Sequence, residues 1–389
     1  MYRQFILLIF LFLLIIQKQV NAQQLGTYAT VSILTCDPGM DVYSMYGHTA
    51  IRVKDEAQHI DAVFNYGLFS FDAPDFMYRF AKGKTDYLMG DEKFGSFMRE
   101  YVEDKRSVYE QVLNLSQEGK THLFMALLEN DKPENRQYRY NFFMDNCATR
   151  VRDMIERNAG VTVHFTDNHP IESYRDLIKK YHHHFRWIDL GIDLLVGKKS
   201  DQPVSAYGQM FLPDYLKAQF AGAKITTGET TQPLVLETRT LLLFPNASTM
   251  SDLPWPAFVF GFFFLIVAGI SVRNVRRKKN TDWLDYWLFA LSGLAGLIIG
   301  WFTLYSEHPA MSPNYNLLWA FPPNLVFAAI WRVKKWRNYS RYYFYLVAAL
   351  LLLSLFVGQQ FNPAVYMIML MLLLRCGVNL FGNRYPFKP

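Results

Sequence analysis

The sequence predicts two structural classes in tandem: an α+β outer domain, then an all-α membrane domain of five helices. Three observations carry this. The chain opens on Arg3, an apolar run from Phe5 to Ile16 and the small-residue site Val20-Asn21-Ala22, a secretory signal covering residues 1–22. Residues 23–253 mix period-2 and helical apolar patterns. From Pro254 onward, residues 254–389 are dominated by apolar stretches of spanning length.

Those stretches fall at 254–272, 283–304, 315–331, 341–358 and 363–381. Basic residues cluster after the first (Arg273, Arg276, Arg277, Lys278, Lys279) and the third (Arg332, Lys334, Lys335, Arg337, Arg341), and Arg375, Arg384 and Lys388 mark the C-terminal end. Residues 305–314 and 359–362 contain no Lys or Arg, so the positive-inside rule puts the N-terminal domain outside and the C-terminus inside. The formal charge of +6 is misleading as a whole, because residues 23–253 hold 25 Lys and Arg against 31 Asp and Glu. The basic excess belongs to the inward loops, so no nucleic-acid partner is implied.

In the outer domain, Thr27–Thr35 reads as a strand ended by Asp37-Pro38-Gly39, and Gly47–Val53 and Ile60–Tyr66 form a hairpin around Lys54–His59. Asp91–Glu103 suits a helix through Phe94, Phe97, Met98 and Tyr101, and Arg106–Leu115 returns to strand. Ser116 caps a helix running to Asn130, Gln137–Phe143 is strand-like, and Asn146–Asn158 is an amphipathic helix with Val151, Met154 and Ile155 inward. Two further helices fall near Glu172–Tyr181 and Pro213–Gln219, and a strand near Leu234–Leu243. This order describes a papain-like half-sheet against helices.

Cys147 stands at a predicted helix start and His48 opens a predicted strand. A helix N-terminus offers free N–H groups and partial positive charge, which lower a thiol's pKa and can donate to an oxyanion. His48 is then the general base and Cys147 the nucleophile. If the hairpin centres between Glu56 and Ala57, position 48 lies opposite 65, which makes Asn65 the group that orients the imidazole, with Asp61 as the alternative. Tyr46, Asn141 and Asn146 flank the pair as substrate contacts. The competing reading is a structural cysteine, packed or bridged to Cys36. His182-His183-His184 point different ways on any regular element, so neither a metal nor a cofactor is expected.

Tyr46-Gly47-His48-Thr49-Ala50-Ile51-Arg52-Val53 followed by Asn146-Cys147 resembles the permuted papain-like fold of lecithin:retinol acyltransferase and its relatives, the NlpC/LRAT-like group. The chain departs from it by having Ala148-Thr149-Arg150 where they have Glu-His-Phe, and by offering no second histidine at the third catalytic position. Over roughly 28–381 it is more specifically similar to the Lnb-type bacterial lipoprotein N-acyltransferases. The segments that match are Tyr46-Gly47-His48-Thr49, Asn65-Tyr66-Gly67, Asp145-Asn146-Cys147-Ala148-Thr149-Arg150 and His308-Pro309-Ala310-Met311-Ser312-Pro313-Asn314-Tyr315-Asn316.

That resemblance implies a multi-pass protein of the bacterial inner membrane with its N-terminal domain in the periplasm. It implies transfer of a fatty acyl chain from a membrane phospholipid, through a Cys thioester, to the α-amine of a diacylated lipoprotein. Anchoring such a catalyst avoids extracting acyl chains at about 0.8 kcal/mol per CH₂. His308, Asn314 and Asn316, in the outward loop, are expected to contact the headgroup or acceptor, and Pro322-Pro323 to break the third span beside a lipid crevice. Two other functions fit the same residues: a membrane-tethered cysteine peptidase or amidase acting on cell-wall peptides, and a non-enzymatic envelope assembly factor.

Overall fold

The computed structural model describes residues 24–70, 72, 74–166, 170–227, 230–245, 253–330, 333 and 339–382. The signal segment and the basic residues Arg332, Lys334, Lys335, Arg337, Arg384 and Lys388 lie outside them. The main elements run β1 (Thr30–Cys36), β2 (His48–Asp55), β3 (Ile60–Leu68), α1 (Phe76–Ala81), β4 (Asp86–Lys93), α2 (Phe94–Glu103), β5 (Val108–Leu113), α3 (Gln117–Asn130) and β6 (Gln137–Arg139). They continue with α4 (Cys147–Asn158), α5 (Tyr174–Lys179), α6 (Arg186–Leu195), α7 (Pro213–Gly222) and β7 (Val235–Leu242). The C-terminal helices are α8 (Trp255–Arg277), α9 (Asp282–Tyr305), α10 (Pro323–Ile330), α11 (Ser340–Leu353) and α12 (Pro363–Gly377).

The chain divides into two compact units, Met1–Ser70, Asp86–His169 and Ala206–Asn246 forming the first and Phe71–Thr85, Pro170–Ser205 and Ala247–Pro389 the second. The first unit is built on a seven-stranded sheet of order β7-β5-β1-β2-β3-β4-β6, antiparallel at every pairing. Side chains alternate across it, as a strand requires. Val31, Ile33, Ile51, Val53, Phe64, Tyr66 and Met89 pack with α3, α4 and α7 through Leu123, Leu127, Val151, Ile155 and Phe220. The opposite face, Leu34, Cys36, Ala50, Val63 and Val108, packs on Phe97 and Tyr101 of α2.

Two segments depart from the sequence reading, one for a ladder pairing and one for a local turn. Asp91, Glu92 and Lys93 are not helical but finish β4, because they complete ladder pairs with Phe64, Val63 and Ala62. The strand expected over Gln137–Phe143 stops at Arg139. There the Asn141 Oδ1 accepts from the N–H groups of Phe143 and Met144, turning the chain out of the ladder. Ser116 caps α3 as its residue type predicts, accepting from the Gly119 N–H. Helices α1 and α6 have no counterpart in that reading.

In the second unit, three helices among the described residues are long and apolar enough to cross a membrane: Trp255–Arg277, Asp282–Tyr305 and Pro363–Phe381. Ser340–Leu353 is apolar but shorter. The third expected stretch is interrupted, a 3₁₀ turn at Tyr315–Leu318 preceding α10. Here α9 comes so close that a Cβ on Gly296 would lie 1.9 Å from the Ala320 carbonyl oxygen. Arg375, fully buried, is bidentate to Asp285 at 2.6 and 2.9 Å and donates to Ser271 at 3.0 Å. Arg175, equally buried, ties α5 to Asp193 and Asp201 at 2.7 and 2.6 Å.

Candidate active site

His48 begins β2 directly after a residue that must be glycine. Gly47 has φ +81°, and a Cβ there would lie 2.6 Å from the Cys36 carbonyl oxygen. Across the hairpin Ala50, not His48, stands opposite Asn65. The pairing is displaced by two residues from the expected register, and a shift of two keeps every side chain on its face. The imidazole therefore meets Asn65 diagonally, its Nε2 3.0 Å from Oδ1. The same amide donates from Nδ2 to Glu92 Oε1 at 3.0 Å, and Asn65 is 3% exposed. Asp61, the alternative partner, is bidentate to Arg52 at 2.7 and 2.9 Å, and Arg52 lies over the Phe94 ring.

Cys147 is the first residue of α4, and Asn146 defines that start. Its Oδ1 accepts from the N–H groups of Ala148 and Thr149 at 3.0 and 2.9 Å, and Thr149 Oγ1 accepts from the Asn146 N–H at 2.8 Å. Its Nδ2 donates to the carbonyls of Phe142 and Phe211 at 2.9 and 2.7 Å. The polar atoms of Asn146 are thus spent on positioning the nucleophile, not on substrate. Asp145, just before it, pairs with Arg150, whose guanidinium lies over the Tyr138 ring at 4.1 Å.

The sulfur sits at the fork where β2 and β3 part. The Thr49 N–H, next along the strand from His48, bonds to the thiol, and on the β3 side a Cβ built on Gly67 would be 3.8 Å from the Cys147 Cβ. Gly67 itself has φ +96°, a conformation open to glycine. The structure thereby places the Asn65 amide against the His48 imidazole and the Cys147 thiol on the N–H of Thr49, the residue after His48.

Burial raises the Cys147 pKa, and the N–H groups of Thr49, Ala148 and Cys147 itself offset only part of that rise. The helix start does favour the thiolate, as its position predicts, but desolvation outweighs it. Burial likewise depresses His48 to about 4, against the opposing hydrogen bond to Asn65, and Arg106 adds to the depression. At neutral pH the pair is therefore a thiol and a neutral imidazole. All three cysteines are free, and Cys36 is buried against Tyr101 with its thiol pushed up to about 12.

The remaining expected contacts are placed as follows. Tyr46 packs on Phe142 with ring centroids 4.6 Å apart, and Phe142 and Phe143 both meet Phe211. Asn141 shapes the turn before the cysteine. Met40, Val42, Tyr43 and Met144, on the two loops that lead into His48 and Cys147, are all exposed. In the second unit, His308 Nε2 bonds to the Phe80 carbonyl at 3.0 Å. Asn314 donates to the carbonyls of Leu194 and Leu195 at 2.8 and 3.0 Å, and Asn316 donates to Asp193 and Leu194 and accepts from Trp319. Both asparagines are buried, acting as clamps on the end of α6. His182 Nδ1 is 2.7 Å from Asp189, and among the described residues no group of three or more His, Cys, Asp and Glu is arranged for a metal.

Sequence reasoning missed Glu92, which it included in the helix expected over Asp91–Glu103.

Fold and site define a membrane protein with a sheet-containing N-terminal domain that presents a cysteine at a capped helix start beside a histidine-bearing strand. Two family models match the chain: the Lnb N-terminal periplasmic domain over residues 17–180 and the Lnb transmembrane domain over residues 248–384. No curated protein and no solved structure matches it significantly. The two matches stand in order and together span most of the sequence. The chain belongs to the Lnb-type lipoprotein N-acyltransferases, with a periplasmic N-terminal part and a transmembrane C-terminal part.

Proposed function

We propose that this protein moves a fatty acyl chain from a membrane phospholipid to the α-amine of a lipoprotein's N-terminal diacylglyceryl-cysteine, with Cys147 as nucleophile and His48 as base. The observation that carries the reading is the capped start of α4, which holds the Cys147 thiol on the Thr49 N–H while Asn65 anchors His48. As the sulfur attacks the ester carbonyl, His48 takes the thiol proton; with both groups neutral at rest, transfer accompanies attack. The imidazolium returns that proton to the departing lysophospholipid oxygen, leaving an acyl thioester. The acceptor amine then attacks the thioester, His48 takes its proton, and the thiol is regenerated in a ping-pong cycle. The N–H groups of Thr49 and Cys147 are the donors at hand for the oxyanion.

The apolar rim of Met40, Val42, Tyr43 and Met144 suits lipid chains and limits water at the thioester. In this reading the outer domain is papain-like and permuted, the C-terminal part crosses the inner membrane five times, and the C-terminus is cytoplasmic. The test is co-expression with a diacylated lipoprotein and mass spectrometry of its N-terminus. The wild type adds one acyl group; Cys147→Ser and His48→Ala do not. Acylation persisting in both variants would refute the mechanism, and cleaved cell-wall fragments in place of acylation would favour a peptidase.

A further inference from the structure

We infer that Glu92 is a positioning residue that acts on His48 through Asn65 and sets which imidazole nitrogen is free to be the base. This rests on the reading of His48 as base. An amide has one accepting and one donating end, and a carboxylate only accepts. The Asn65 NH₂ must therefore face Glu92, 3.0 Å away, which turns its carbonyl oxygen to His48 Nε2, also 3.0 Å away. That oxygen can only accept, so Nε2 carries the hydrogen. In a neutral imidazole the other nitrogen, Nδ1, is then bare and able to take the thiol proton.

The ladder builds this alignment. Asn65 stands opposite Ala50 on β2 and Gly90 on β4, while Glu92 stands opposite Val63. His48, Asn65 and Glu92 thus share one face of the sheet at diagonal positions, and Gly90 contributes no side chain to obstruct the amide. With the carboxylate gone, nothing opposes a flipped amide, whose NH₂ would face Nε2 and push the proton onto Nδ1.

The test uses the full chain in phospholipid nanodiscs and needs no lipoprotein. Alkylation of Cys147 by iodoacetamide reports the thiol's activation, since Cys36 and Cys376 are buried. Glu92→Ala, and Glu92→Met, which keeps the side chain's length, should each slow alkylation at neutral pH about tenfold or more, a modest part of a base's usual contribution. Glu92→Gln should hold most of the rate, because its amide oxygen still accepts from Asn65. The double variant Glu92→Ala with Asn65→Ala should be no slower than Asn65→Ala alone. In ¹⁵N-histidine-labelled protein the His48 proton should move from Nε2 to Nδ1 in Glu92→Met. Wild-type alkylation in Glu92→Met while Asn65→Ala is slow, or rate losses that multiply in the double variant, would overturn the inference. Failure of the proposed function is seen separately: Cys147→Ser that still acylates lipoprotein removes that function while leaving the Glu92 coupling measurable.

Discussion

Replacing Asn146 by Ala should cost this domain more than an ordinary helix cap. The side chain makes four hydrogen bonds, two accepted from the N–H groups of α4 and two donated to the carbonyls of Phe142 and Phe211. Loss of the cap costs about 1 kcal/mol. Phe211 is fully buried, so its orphaned carbonyl adds the desolvation cost of a buried acceptor, about 1–3 kcal/mol, with a smaller share from Phe142. The sum, about 3 kcal/mol, corresponds to roughly 6–12 °C in melting temperature for a domain of this size. Asn146→Ser keeps an oxygen for the cap but neither donated bond, and should recover about 1 kcal/mol of that loss. Scanning fluorimetry of the detergent-solubilised protein measures the shift, and iodoacetamide reactivity of Cys147 measures whether the nucleophile has lost its place. A melting temperature for Asn146→Ala within about 2 °C of wild type, with unchanged alkylation, would show that this side chain does not hold the helix start.

Three further outcomes are expected. His48 is depressed to about 4 from its ordinary 6.5, so between those values the unfolded chain binds a proton the native chain refuses. Its contribution to stability is therefore lost as pH falls from about 6.5 to about 4, and His48→Gln should flatten that window in melting curves; Glu92 and Glu100, whose pKa values are raised, act with the opposite sign in both proteins and cancel in the difference. Asp285→Ala leaves the buried Arg375 uncompensated and should cost about 3–5 kcal/mol, while replacing both residues with apolar ones should recover most of it in the same thermal assay. Gly296→Ala, whose Cβ would meet the Ala320 carbonyl oxygen at 1.9 Å, should destabilise by about 1–3 kcal/mol, whereas Gly300→Ala, facing only Leu317 at 3.8 Å, should be neutral.

What was legible in the sequence is what neighbours along the chain decide. Ser116 caps α3 because a short polar side chain reaches an N–H group three residues on. The apolar stretches near 254–272, 283–304 and 363–381 are helices because length and composition suffice to make them so. His48 and Asn65 were matched through the wrong register, yet they meet, because the side-chain repeat of a strand is two and the error was two.

Other features depended on partners far away in the chain. Residues Asp91–Lys93 carry a helix-compatible pattern, but the free edge of β3 recruits them as ladder. Asn314 and Asn316 look like exposed loop polars in sequence; tertiary structure buries them on carbonyls more than a hundred residues upstream. The sign of the thiol's pKa also belongs to packing, since residue order supplies the helix N-terminus but not the burial that outweighs it. By itself, then, the sequence determined the two-part architecture, the cysteine at a helix start and the histidine strand, all products of local bonding and composition. Only the tertiary structure decided that Glu92 faces Asn65 and that the Cys147 thiol and the His48 imidazole rest uncharged, because hydrogen-bond direction and desolvation are set by atoms that meet only when the sheet is assembled.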